Sequence, residues 1–426
     1  MKILRFSLIF ILFYIYCYSI VFTFFPVSTK IILGGIGLVY TIIKLASGRF
    51  RLKKEFVWIL KYSIFLCLWD TVLSVISGYY QFHFFELIKT PIGSLFGAGL
   101  LYELSKPIIK TERDFLLFFV FVVFTECALT IIMSMIPSIF NLVMSIQVTD
   151  MGNKEVTDIE GYYRMIGIGN AVYFGVLPIC AFALLSCSYL VSNNLTKSFF
   201  LIFVIIAFLI IGVASFFSAR TSLALVAIAL LPILFNLKSF GIKNIIIFSI
   251  VLFVSLLLGI KYVESNFNDS MLDWAFGFLV NKDSDSGSIG EVVEWWKKTE
   301  FNPLTFIIGD GCYENADGSY YKKVDIGWFR IIFYCGIIGL SMIMYFHYKI
   351  SKFIYNCNKN RNLLLMLLLL FLSYAVILAK GDTLMLTFLI LFLVYYKGGI
   401  FAPQNNTLIK CNNNSDRNNY DLQNNY

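Results

Sequence analysis

Charge is what this sequence has least of. Only 14% of its 426 residues are Asp, Glu, Lys or Arg, where a soluble domain carries roughly 25%. Against that stand 59% hydrophobic and 18% aromatic residues and a mean hydropathy of +0.78. Such a chain lacks the polar surface to cover a water-soluble globule, which excludes a cytosolic, secreted or nucleic-acid-binding protein. Histidine is almost missing: His83 and His347 are the only two, far apart in sequence, which excludes a histidine-based metal site. Nine cysteines are present but no Cys-x-x-Cys pair, so zinc and thioredoxin-like readings fail. Cys17, Cys67, Cys127, Cys180, Cys187 and Cys335 lie inside apolar runs and read as small membrane-buried residues. Neither a metal nor a cofactor is expected.

What is abundant is long apolar runs. Taking roughly 20 apolar residues per crossing, the sequence predicts about twelve spans, near 3–22, 29–46, 57–78, 86–104, 115–136, 165–191, 199–218, 221–237, 244–261, 326–346, 363–379 and 383–396. The fold class expected is an all-α polytopic membrane protein. Residues 1–396 form a single transmembrane domain, and 397–426 form a disordered cytoplasmic tail, rich in Asn beyond Pro403. The first span follows Lys2 and Arg5 but lacks a small-x-small cleavage site, so it reads as a retained anchor.

Basic residues set the expected orientation. With a cytoplasmic N-terminus, 21 Lys and Arg fall inside and 13 outside, in keeping with the positive-inside rule. Both termini are then cytoplasmic, and the net charge of +8 follows from topology without a nucleic-acid partner. Two outer connections are long, about 137–164 and 262–325. The second, between helices 9 and 10, carries twelve acidic and five basic residues. Within it, Glu291-Val-Val-Glu-Trp-Trp-Lys-Lys298 has the composition of a short interfacial helix.

Ionisable groups inside a bilayer are costly and therefore informative. Asp70 and Glu126 lie mid-span, where they serve either ion coupling or a hydrogen-bonded structural role. Arg164, Arg220 and Arg330 are more pointed: all three fall at outer helix ends, against the positive-inside bias. A guanidinium suits bidentate binding of phosphate, so three on one face would make a pyrophosphate site. Snorkelling or pairing with loop carboxylates is the alternative.

Three segments carry a resemblance. They are Arg164-Met-Ile-Gly-Ile-Gly-Asn170; Ser218-Ala-Arg-Thr-Ser222; and the stretch from Gly309-Asp-Gly311 through Asp325 and Arg330 to Gly336-Ile-Ile-Gly339. In this order, over residues 160–345, the chain resembles the bacterial O-antigen polymerase (Wzy-type) and ligase superfamily. Ligases of that superfamily carry a histidine in the large outer loop, and this loop has none, which brings the chain nearer the polymerases.

The resemblance implies a C-type glycosyltransferase-like fold and a metal-independent membrane glycosyltransferase at the bacterial inner membrane. Its substrate would be an undecaprenyl-pyrophosphate-linked oligosaccharide, with a chain-length regulator and a flippase as partners, and its product O-antigen or capsule. Arg164 and Arg220, with Arg330, would hold the pyrophosphate. Asp325 is the first choice for a base or an acceptor-orienting carboxylate, with Asp310 and Glu314 as alternatives. Tyr313 and Tyr320, like Trp295 and Trp296, suit stacking on sugar rings, and the tryptophans equally suit surface anchoring. An O-antigen ligase and a flippase or ion-coupled transporter stay open as other readings.

Overall fold

The computed structural model describes residues 2–79, 81, 83–148, 166–169, 173–193, 198–235, 302–315, 319–324, 326–379 and 385–403. The chain is a mostly helical polytopic membrane protein. In order come α1 (Lys2–Tyr18), α2 (Thr29–Ala46), β1 (Phe50–Leu52), α3 (Lys54–Ser77), α4 (His83–Ser105), α5 (Glu112–Met135) and α6 (Pro137–Ile146). A 3₁₀ turn (Tyr173–Val176) leads into α7 (Leu177–Ser192), followed by α8 (Ser198–Ser218), α9 (Ser222–Phe235) and the short α10 (Pro303–Ile307). Then come a second 3₁₀ turn (Tyr321–Lys323), α11 (Gly327–Tyr355), α12 (Arg361–Ile377), α13 (Leu386–Tyr396) and β2 (Phe401–Pro403).

Five of these are long and apolar enough to cross a membrane: Thr29–Ala46, Lys54–Ser77, Glu112–Met135, Phe200–Ser218 and Gly327–Tyr355. Local chemistry sets several boundaries. Ser28 caps α2 by accepting from Ile31 N, Thr111 and Asp114 form a reciprocal capping box on α5, and Asn360 caps α12. Gly78 ends α3 in the left-handed conformation.

α7 is the central helix. All sixteen of its residues are buried, and it packs against α5, α8, α9, α12 and α13. Helices at the periphery turn large apolar side chains outward: Ile64, Leu68 and Val75 of α3 and Leu368 of α12 are all more than half exposed. That inside-out pattern suits hydrocarbon as the surrounding solvent. Close packing of α2 on α4 depends on small residues: a Cβ on Gly37 would lie 2.1 Å from Phe96 O, and one on Gly34 2.7 Å from Gly93 Cα.

Side-chain ties define two ends of the bundle. At one end, Trp328 Nε1 at the start of α11 donates to Ala375 O near the end of α12 (3.0 Å), and Thr29 Oγ1 at the start of α2 donates to Ile15 O of α1 (2.6 Å). At the other, β1 pairs antiparallel with β2, Lys44 pairs with Glu103 at 3.0 Å, and Asn362 donates to Asn193 at 2.9 Å.

Four boundaries differ from the sequence expectation. Residues 137–146 are helical rather than loop, with Pro137 at the first turn, where a missing N–H costs nothing. The sixth apolar run becomes α-helical only at Leu177. α11 continues to Tyr355, nine residues past its expected end. Residues 397–403, expected in a disordered tail, are ordered because β2 finds a strand partner in β1. The ninth span, most of the large loop and residues 404–426 lie outside the described residues.

Candidate functional site

The site is built on a broken helix. α11 leaves helical geometry at Gly336 (φ 64°, ψ −175°). Such a break removes main-chain partners from the preceding turn. Two amides of the Gly309-Asp310-Gly311 loop replace them: Asp310 N donates to Phe333 O (2.6 Å) and Gly311 N to Tyr334 O (3.0 Å). The approach is close enough to demand glycine on both sides. A Cβ on Gly309 (φ +94°) would sit 2.4 Å from Tyr334 O, and one on Gly336 2.2 Å from Ile307 O. Both glycine motifs of the resemblance thus meet in one contact.

Beyond this contact the chain folds into a hairpin over the start of α11. Glu314 bridges Tyr320, Asn315 N donates to Ser319 O (2.8 Å), and Tyr321 N to Tyr313 O (3.1 Å). Gln81, from the α3–α4 connection, fastens it: its Oε1 accepts from Tyr313 N (2.5 Å) and Glu314 N (3.1 Å), and its Nε2 donates to Glu314 O.

Asp310 braces the hairpin from beneath. It accepts from Thr305 Oγ1 (2.5 Å) and Tyr321 OH (3.1 Å), and pairs with Lys322 Nζ (3.2 Å). Burial, then the adjacent Asp310 carboxylate, pushes the Tyr321 hydroxyl up to about 12, so it stays a donor throughout the ordinary pH range. Burial also raises the Cys312 thiol. Lys322 and Lys323 both take left-handed φ (54° and 57°), a conformation costing about 1–2 kcal/mol per residue. Lys322 is held there by its ion pair and by lying 4.4 Å over the Phe333 ring.

The hairpin brings three of the expected site residues together. Arg330, in the first turn of α11, is buried, and its guanidinium carbon lies 3.6 Å from the Tyr320 ring centre and 4.5 Å from that of Tyr313. Tyr313 is buried, whereas Tyr320 is 39% exposed. One ring therefore backs the cation from the core and the other covers it from outside. Both rings lie within cation–π range of the guanidinium, which fixes its position at the start of α11.

A second cluster gathers at the same end. The segment 166–169, which follows Arg164 in sequence, is bound through its backbone. Ile168 N donates to Glu126 Oε1 (2.6 Å) and Gly169 N to Gln147 Oε1 (2.8 Å). Glu126 also accepts from Tyr14 OH and from Thr130 Oγ1 (3.3 Å). Residues 146–148 are stitched to the α1–α2 connection by Thr23 N to Ile146 O (2.9 Å) and Val148 N to Val21 O (2.8 Å). Arg220 occupies the tight turn between α8 and α9, half-buried, with Ser222 N closing onto Ala219 O. Arg164 and Asp325 lie outside the described residues. Asp70, the other intramembrane carboxyl, accepts from Tyr334 OH.

Sequence reasoning overlooks Gln81, Gln147, Tyr14 and Tyr334. Each acts on a partner remote in sequence, as Gln81 does on Tyr313, 232 positions away. No protein-family model, curated protein or solved structure matches the chain.

Proposed function

We propose that this protein polymerises lipid-linked oligosaccharide repeat units on the outer face of a bacterial inner membrane, with both termini cytoplasmic. The donor glycan leaves undecaprenyl pyrophosphate and joins an incoming repeat unit, building O-antigen or capsule. A chain-length regulator and a flippase are the partners this role calls for. The observation that carries the reading is Arg330, a buried cation flanked by Tyr313 and Tyr320 at the bundle end that also holds Arg220.

In the reaction, an acceptor hydroxyl oxygen bonds to the anomeric carbon of the donor. The bond from that carbon to the pyrophosphate oxygen breaks, and its electron pair stays on the pyrophosphate. The hydroxyl proton passes to a carboxylate, with Asp325 as the first choice and Asp310 and Glu314 as the alternatives. Arg164, Arg220 and Arg330 balance the charge that develops on the leaving group, which is where fixed cations accelerate most. Tyr320, exposed beside Arg330, offers a ring face to a sugar.

Arg220→Ala is the first test. Cells carrying it should accumulate single-repeat lipid-linked glycan, and normal chain lengths would sink the proposal. Reconstituted protein given only lipid-linked repeat units separates the other readings. Polymer means polymerase, a requirement for a lipid core acceptor means ligase, and translocation without bond formation means transporter.

A further inference from the structure

The end of the bundle opposite Arg220 and Arg330 carries a cleft of about 720 Å³, between β1, the first two turns of α3 and residues 397–402. Its lining has five cations, Arg51, Lys53, Lys54, Lys61 and Lys397, against one carboxylate, Glu55. Two of the cations are engaged within the protein and form its floor. Lys53 Nζ donates to the carbonyls of Lys397, Gly398 (3.3 Å) and Gly399 (2.8 Å), and Lys397 Nζ pairs with Glu55 at 2.6 Å. Arg51, Lys54 and Lys61 are exposed, and none of them pairs with a carboxylate among the described residues.

What α3 does beyond the cleft identifies the occupant. Lys54, Trp58, Lys61, Phe65, Leu68 and Val72 recur at alternating spacings of four and three, so they share one helix face. Phe56, Ile59, Ser63, Leu66, Asp70 and Leu73 form the buried face behind it. The stripe opens with Lys54 and Lys61 on either side of Trp58, which is half-buried, stacks on Tyr62 and packs edge-on against Phe346 and Phe353 of α11, and it ends apolar. Phe65, Leu68 and Val72 are 46%, 61% and 45% exposed. From Lys61 to Val72 the helix rises about 16 Å at 1.5 Å per residue, close to the roughly 15 Å depth of one hydrocarbon leaflet. A free anion would use only the upper half of this surface. A polar head with a hydrocarbon tail would use all of it.

We propose that the cleft binds the phosphate headgroup of an anionic phospholipid, with the acyl chains lying along Phe65, Leu68 and Val72. The site is separate from the proposed pyrophosphate site and does not depend on it. Arg51, Lys54 and Lys61 supply the charge, and Trp58 sets the depth of the headgroup.

Full-length protein in detergent is incubated with dioleoyl phosphatidylglycerol, dioleoyl phosphatidylcholine or inorganic phosphate. Retained lipid is read by native mass spectrometry, and protection by thermal unfolding. Phosphatidylglycerol should be retained in preference to phosphatidylcholine and should raise the unfolding temperature. The triple variant Arg51→Gln, Lys54→Gln, Lys61→Gln should retain at least about tenfold less of it. The double variant Lys106→Gln, Lys110→Gln removes charge at the same end but outside the cleft, and should behave as wild type. Equal retention of the two lipids by the wild-type protein overturns the proposal whatever the variants do. So does an unchanged triple variant, or a double variant that loses lipid equally, which would mean diffuse charge. Displacement of the lipid by inorganic phosphate would assign the cleft to a free anion instead.

Discussion

Glu126 has its side chain fully out of solvent and three donors pointed at it, from Tyr14, Thr130 and the backbone of Ile168. Only the last is a main-chain group, and it belongs to the segment that follows Arg164 in sequence. A main-chain amide cannot change identity to suit a new neighbour, so the carboxyl is the adjustable partner in this pair. Truncation to Ala strands the Ile168 amide and the Tyr14 hydroxyl, each worth about 1–3 kcal/mol when left unsatisfied in the interior. Glu126→Ala should therefore lower stability by about 2–6 kcal/mol, and Glu126→Gln, which keeps one carbonyl acceptor, by less. Thermal unfolding in detergent measures the first effect. Hydrogen exchange tests the assignment: the Ile168 amide should exchange faster in the Ala variant, while amides of α12 keep their protection. Unchanged exchange at Ile168 would remove Glu126 as the clamp on this segment. From the sequence, a carboxyl in the middle of an apolar run is conspicuous. Its partners are not, because Tyr14 and Ile168 lie 112 positions before it and 42 after it.

At the scale of elements, the break in α11 is a joint rather than a flaw, since its carbonyls are met by the amides of residues 310 and 311. Gly336→Ala would place a side chain at φ 64°, ψ −175°, a backbone region all but reserved for glycine and costing about 1–3 kcal/mol, and would add a clash with Ile307 O at 2.2 Å. Together these should destabilise by about 2–6 kcal/mol. Gly212→Ala in α8 is the control, because there the new Cβ meets only Val226 Cγ2 at an ordinary 3.4 Å. It should unfold at or slightly above the wild-type temperature. Equal effects of the two substitutions would contradict the joint. Elements differ in how plainly the sequence announces them. α2 is announced to the residue, because an apolar run of span length begins directly after a capping Ser28. α6 is not, since its ten residues fall well short of a crossing. The late start of α7 also escapes periodicity. Residues 166–169 look like the beginning of an apolar run, but their amides bond to the side chains of Glu126 and Gln147 instead of to a helical turn. Gln81 gives no local signal at all, being a lone amide in a connection.

At the scale of the molecule, hydropathy and charge make the helical membrane class plain, and they single out Arg220 and Arg330 as exceptions to the general placement of basic residues. They do not reveal that β1 and β2 pair, because three-residue strands carry no usable period and their partners are far apart. Arg51 faces Ala402 directly in that pair, and facing antiparallel residues are about 4.5–5.5 Å apart at Cα, within disulfide range. Oxidation of the Arg51→Cys, Ala402→Cys variant should give an intramolecular cross-link on non-reducing peptide mapping. The mismatched Arg49→Cys, Ala402→Cys variant should give much less, and equal yields would disprove the register.

This clasp has a consequence in time. Lys53 and Gly399 are 346 positions apart, so a ribosome must finish the whole of the intervening chain before the two can meet. Until then Lys53 lacks the carbonyls it binds, and Glu55 lacks Lys397. The cationic cleft is thus a late product of biogenesis, and a nascent chain halted before residue 397 should emerge without it.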